Sequence, residues 1–213
     1  MLADEIADRW PRLFHMAEAG SWPSIQRHGL LSAQALCDLY DVRQSQRDEL
    51  LARKRPHSVQ ITHPEHGTAW VRDIKPNNET VLRRTLVGMD EASWYRTLNS
   101  RVFLWLTEER LGTLYAAYRG RGHDVLVVST AKLLAAHGGE VEFCPLNSGA
   151  VHAGAVVTRG AETFRGLADY PWEERRRIAR REPVVELTVP YAVRTSPISS
   201  RTSVPSGWRR GKR

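Results

Sequence analysis

Apolar and polar positions along the chain change period repeatedly between that of a strand and that of a helix. Residues 3–10 predict a short helix, and Pro11 separates it from the apolar pair Leu13-Phe14, a strand that ends on His15. A turn through Gly20 follows. Ser21 is placed to cap a helix with Pro23 in its first turn and Ile25 on its face, and Gly29 stops it before Leu30-Leu31. Leu36, Leu39 and Tyr40 recur at helical spacing over Ala33 to Tyr40, and a second helix over Gln44 to Lys54 ends at Pro56. Arg43, Arg47, Arg53 and Arg55 cluster around that second helix.

The segment SVQIT, from Ser58 to Thr62, alternates like a half-buried strand. HPEHG supplies the turn, and the chain returns over Thr68 to Ile74 as the second arm of a hairpin. Helices are expected near Glu79–Leu86 and Asp90–Leu98, with Asp90 as a cap. Arg101 to Leu106 is a nearly continuous apolar run and therefore a central strand, and Asp124 to Ser129 is the second strongly apolar strand. Thr107 caps a helix over Glu108 to Tyr118, and another helix runs to about Ala136. A short strand over Glu140–Phe143, a loop over 147–154, a short helix over Glu162–Leu167 and a charged helix over Pro171–Arg181 precede a strand from Val184 to Val189 that Pro190 ends. Hairpins interrupted by helices, with no internal repeat, indicate an α+β fold in one domain over residues 1–194. From Thr195 the composition is Ser, Thr, Pro, Gly and Arg. Residues 195–213 are expected to be a basic disordered tail, because they cannot bury enough apolar area to offset chain entropy.

Composition adds little to that outline but directs the search for partners. The formal net charge is +7, and six basic residues with no acidic one lie between Arg194 and Arg213. Such an excess favours an anionic partner, single-stranded DNA or RNA first, or else serves solubility. No stretch reaches the length of a membrane span, and the N-terminus lacks the basic-then-apolar layout of a signal peptide, so a cytoplasmic protein with no membrane partner is expected. Cys37 and Cys144 make neither a disulfide framework nor a CxxC pair. His57, His63 and His66 gather at the hairpin turn, but only Glu65 joins them, and no metal site is expected. The glycine signatures of dinucleotide folds, P-loops and hydrolase elbows are absent.

Three positions carry candidate chemistry. His15 offers either ring nitrogen to a polar ligand, or is a partly buried structural histidine. Glu186 interrupts an apolar strand, VVELTV, and either faces a cleft or points outward from an edge strand. Trp105 and Tyr115 are core aromatics by default, and one of them stacks on a flat ring in the functional alternative.

Together these pieces resemble an ADP-ribosyltransferase of the DarT type, bacterial enzymes that modify DNA bases. LFHMAEAGSWPSIQRHGLLS resembles that family's strand, histidine and helix ending in I-x-x-x-G-L, here His15 and Ile25, Gly29 and Leu30. RVFLWLTEERLGTLY resembles its aromatic strand and following helix, with Trp105 in place of the usual tyrosine. VVELTVP resembles the strand that carries the catalytic glutamate, here Glu186. ARKRP resembles the stretch that supplies an arginine, taken as Arg55 in preference to Arg53. The segment between Ser58 and Asn99 is longer than the family pattern.

The resemblance implies two small β-sheets around an NAD cleft with helical insertions, and NAD as co-substrate. It implies that His15 contacts the adenosine ribose, that Trp105 or Tyr115 stacks on nicotinamide, that Arg55 holds the pyrophosphate, and that Glu186 assists attack on the nicotinamide ribose. The acceptor would be a nucleic-acid base or a protein, and an antitoxin protein would be a partner of a toxin. The competing classes are a non-catalytic nucleic-acid-binding protein, a degenerate transferase that only binds ligand, and an NAD-dependent RNA 2′-phosphotransferase.

Overall fold

The structure is a computed structural model and describes residues 1–74, 78–118, 120–151, 157–178 and 182–204. The chain opens with helix α1 (Ala3–Arg9), strand β1 (Arg12–Glu18), helix α2 (Trp22–His28) and strand β2 (Leu30–Leu31). Helices α3 (Ala33–Leu39) and α4 (Gln44–Leu51) lead into the hairpin β3 (Val59–His63) and β4 (Gly67–Val71). Then come α5 (Glu79–Thr85), β5 (Leu86–Val87), α6 (Glu91–Asn99), β6 (Arg101–Trp105), α7 (Glu108–Ala117), β7 (His123–Ser129), α8 (Thr130–His137) and β8 (Glu142–Cys144). The last part holds β9 (Arg159–Gly160), a 3-10 turn, β10 (Arg165–Gly166), α9 (Trp172–Ile178), β11 (Glu186–Pro190), β12 (Ala192–Val193) and β13 (Ile198–Val204).

This is an α+β fold built on a seven-stranded antiparallel sheet in the order β10-β8-β11-β6-β1-β7-β13, with three two-stranded ribbons beside it. The expected pair of small sheets takes a different form. The large sheet is continuous, but β1 and β6 meet at one residue pair, Phe14 opposite Trp105, whereas β1 pairs with β7 along its whole length from Arg12 to Glu18. The sheet therefore parts into two halves at the β1–β6 seam.

Alternation along β1 sends Leu13 and Ala17 into the main core. There Ile6 and Trp10 of the α1 segment and Leu133 and Leu134 of α8 close one face of the sheet. Phe14 goes to the opposite face with Trp105, where Leu111 and Leu114 of α7 cover it. A satellite core joins α3, α4 and the hairpin through Leu36, Leu50, Ile61 and Val71. Gly29, at φ +84, ends α2 where the chain turns into β2. A Cβ there would lie 2.4 Å from the carbonyl oxygen of Val193 on the paired strand β12, so the position demands glycine.

Several boundaries differ from the sequence pattern. β1 runs three residues past His15 to Glu18, so the histidine sits within the strand, because Met16 and Ala17 find burial on opposite faces. α4 ends at Leu51, before Lys54. The expected helix over Glu162–Leu167 is a 3-10 turn followed by β10, and the charged helix is described as far as Ile178. Ser21 stands at the N-cap of α2 but makes no side-chain capping bond, whereas Asp90 and Thr107 cap as expected, accepting from the amides of Ser93 and Arg110. The expected disordered tail is corrected in its first part. Ile198–Val204 pairs along β7 as the outermost strand, anchored by Arg201 and Ser203 on the buried carboxylate of Asp124. Residues 205–213 lie outside the described residues. No helix among the described residues is long and apolar enough to cross a membrane.

Candidate active site

A cavity of about 590 Å³ opens where the two halves of the sheet part, and His15, Trp105, Glu186 and Arg55 all line it. The register explains how one strand seam presents these groups. Glu186 stands opposite Trp105, and Trp105 opposite Phe14, so these three share a face. His15, next to Phe14, belongs to the other face of β1. The parting of β1 from β6 brings both faces onto one cavity.

β11 lies between β6 and β8, so Glu186 is on an interior strand and not on an edge. It is 2% exposed. Its Oε2 accepts the Ser148 hydroxyl at 2.7 Å and the Ser148 amide at 3.1 Å. Burial raises the carboxyl to about 7, and the two Ser148 bonds, Cys144 and Arg110 act in the opposite direction. A carboxylate balanced near neutrality inside a cavity can hold negative charge or accept a proton at physiological pH. Ser148 is fully buried on the loop after β8.

His15 Nδ1 lies 2.9 Å from the carbonyl oxygen of Phe103 on β6. A carbonyl only accepts, so Nδ1 carries the proton and Nε2 keeps its lone pair. Burial lowers the imidazole to about 4, against the opposing pull of the Phe103 carbonyl, with Arg72 adding to the decrease. His15 is thus a neutral acceptor near neutral pH, suited to a ligand hydroxyl. Its bond to Phe103 also spans the seam where backbone pairing stops.

Trp105 packs its ring with Phe14 and Val185 and lines the cavity. Tyr115 does not line it. Its ring packs with Met16, Tyr118 and Val204 and meets His123 edge-on at 5.7 Å. Tyr118, at the end of the same helix, takes the lining position. Its ring lies under the guanidinium of Arg72 at 4.5 Å and that of Arg121 at 5.5 Å. Burial, with Asp73 next, raises its hydroxyl to about 12.

Arg55 lines the cavity but is committed to the fold. Its Nε donates to the Arg72 carbonyl at 2.7 Å, Nη1 to the Leu50 carbonyl and Nη2 to Asn99 Oδ1 at 3.1 Å. Burial lowers it to about 10, so it remains charged. Arg53 is exposed and pairs with Glu49. Arg101 is likewise occupied, by both oxygens of Glu142.

Two further arginines on the cavity wall stand apart. Arg72 donates through Nη1 to the Met16 carbonyl, while its Nη2 is buried without a hydrogen-bond partner, as is Asp73 Oδ2. Arg110 makes no side-chain hydrogen bond or ion pair among the described residues, and its charge acts on Glu186. Arg121 bridges two residues of the wall, Glu18 at 2.6 Å and Asp73 at 3.1 Å. Sequence reasoning missed Arg72, Arg110, Tyr118 and Ser148. A weak signal existed for Arg110 alone, since a cation in a helix's first turn works against the helix dipole.

The histidines at the hairpin lie apart from this site. His63 stacks on His66 at 4.7 Å, His28 meets His66 edge-on at 5.1 Å, and His57 is exposed. Among the described residues no group of three or more His, Cys, Asp or Glu has the geometry to hold a metal ion.

No curated protein matches the sequence. A protein-family model described as a family of unknown function, DUF7002, matches residues 11–197, nearly the whole of the chain that carries the sheet and the cavity. The chain belongs to the DUF7002 family.

Proposed function

We propose that this protein is an NAD-dependent mono-ADP-ribosyltransferase that transfers ADP-ribose to a nucleic-acid acceptor. The observation that carries this reading is the buried Glu186 carboxylate, raised to about 7, on the same cavity as a neutral His15. The wall suits such a ligand: the cavity volume falls within the roughly 300–1,000 Å³ of small-molecule sites, and the unpartnered Arg72 Nη2 calls for an acceptor group.

NAD supplies a nicotinamide leaving group on a ribose that becomes positively charged as the bond breaks. Glu186 then stabilises that charge electrostatically, and takes the proton of the attacking acceptor group. His15 Nε2 accepts a ribose hydroxyl. Trp105 presents a ring for stacking, and Tyr118 replaces Tyr115 as the second aromatic of the wall. Arg72 is the better contact for a phosphate than Arg55, whose guanidinium is already bonded on three nitrogens.

The unpartnered Nη2 of Arg72 and the guanidinium of Arg110 also favour a second reading, an NAD-dependent RNA 2′-phosphotransferase, which needs cations at a phosphate. Incubation with labelled NAD beside single-stranded DNA, RNA, 2′-phosphorylated RNA and protein separates the two. Label on a nucleic acid, lost in Glu186→Gln, is expected. Loss of a 2′-phosphate from RNA would establish the second reading, and no label with no phosphate loss would reject both.

A further inference from the structure

The cavity wall carries four arginines, Arg55, Arg72, Arg101 and Arg110, and their partners divide them. Arg55 and Arg101 are held by carbonyls and by Glu142. Arg72 sits over Tyr118 at the far end of α7. Arg110 lies in the first turn of α7, eight residues before Tyr118, or about 12 Å along a helix axis. The two side chains with unused donors are therefore anchored toward opposite ends of the helix that roofs the cavity, Arg72 over Tyr118 and Arg110 on the side that acts on Glu186.

Arg110 is half-buried, close enough to Glu186 to act on its charge, and without an ion pair among the described residues. Partial burial of an unpaired cation and its place against the helix dipole both cost stability. Glu108 and Glu109 beside it suit that dipole, and Arg110 alone does not. Resting on the transferase reading above, we propose that Arg110 is the contact for a backbone phosphate of the acceptor strand, next to the nucleotide that faces Glu186. The acceptor class is then a single-stranded nucleic acid, with Arg72 left for the anionic part of NAD.

The test is binding of fluorescent single-stranded DNA and RNA oligonucleotides between about 50 and 200 mM salt. It compares wild type, Arg110→Gln, Arg110→Lys and, as a surface control, Arg53→Gln. Each phosphate contact on a single strand contributes about 0.7 to the slope of log affinity against log salt. Arg110→Gln is expected to lose about that much slope and to bind more weakly, Arg110→Lys to restore the slope, and Arg53→Gln to match wild type. The ratio of the two oligonucleotides tells DNA from RNA. Arg110→Gln melting at or above wild type excludes a folding defect, because the substitution removes a cation that opposes the helix dipole. An unchanged slope in Arg110→Gln, or no binding by wild type at low salt, would overturn the proposal. An NAD-dependent thermal shift of the wild type is read separately. A shift without oligonucleotide binding sinks only the phosphate contact. Arg110-dependent binding without a shift sinks only the transferase reading.

Discussion

Ser148 donates twice to one oxygen of Glu186, through its hydroxyl at 2.7 Å and its amide at 3.1 Å. Both bonds favour the ionised carboxylate against the burial that opposes it. Ser148→Ala removes the hydroxyl bond and keeps the amide. A hydrogen bond to a charged group contributes about 1.5–3 kcal/mol, so the carboxyl is expected to rise by about one unit or more. The pH profile of nicotinamide release should shift to higher pH by that amount, with the plateau rate little changed.

Glu186→Gln keeps an acceptor for both Ser148 donors and removes the charge. The folded carboxyl titrates near 7 and the unfolded one near 4.5, so between these values the folded protein binds more protons and wild-type stability falls as pH rises. The variant should lose that slope and unfold at higher denaturant than wild type above pH 7. The gain is on the order of 3 kcal/mol at most. Chemical denaturation at acid and neutral pH measures it.

His15 works with the opposite sign. Its folded value of about 4 lies below its ordinary 6.5, so stability is fully present above 6.5 and is lost as pH falls toward 4. His15→Asn retains a donor for the Phe103 carbonyl but removes the cavity-facing acceptor and the titration. It should be less acid-sensitive than wild type while its KM for NAD rises about tenfold, the loss of one hydrogen bond.

Arg55→Ala should act on folding. It removes three hydrogen bonds and leaves Asn99 Oδ1 and the carbonyls of Leu50 and Arg72 without their guanidinium donors. A loss of about 3 kcal/mol or more in equilibrium unfolding is expected. A variant that folds with wild-type stability and has lost only NAD binding would restore Arg55 as a ligand contact.

Glu186 was legible in the sequence because a carboxylate in a run of valines and leucines violates strand propensity. Whether its strand lay at an edge was not, since that depends on β8 and β6 flanking β11, pairings between distant segments. Tyr115 and Tyr118 are three residues apart on one helix, and only the rotation of α7 over the sheet decides which of them meets the cavity. Arg55 could be seen as an arginine near a helix end, but its acceptors come from α4, α6 and the exit of β4. The outer strand Ile198–Val204 has no apolar alternation, and it exists because β7 offers a free edge and Asp124 an anchor for Arg201. Arg72 and Arg110 read as ordinary surface charges until the partners of every other arginine on the wall are known.

The central claim, that Glu186 acts on NAD bound in the seam between β1 and β6, is tested most directly by nicotinamide release from NAD across pH 5 to 9, the range about its raised carboxyl. Release by wild type should rise through about pH 7, the value that burial gives this carboxyl. Glu186→Gln should release none, yet still melt higher in the presence of NAD. Equal release by the variant, or no release and no NAD-dependent shift in the wild type, would contradict the account.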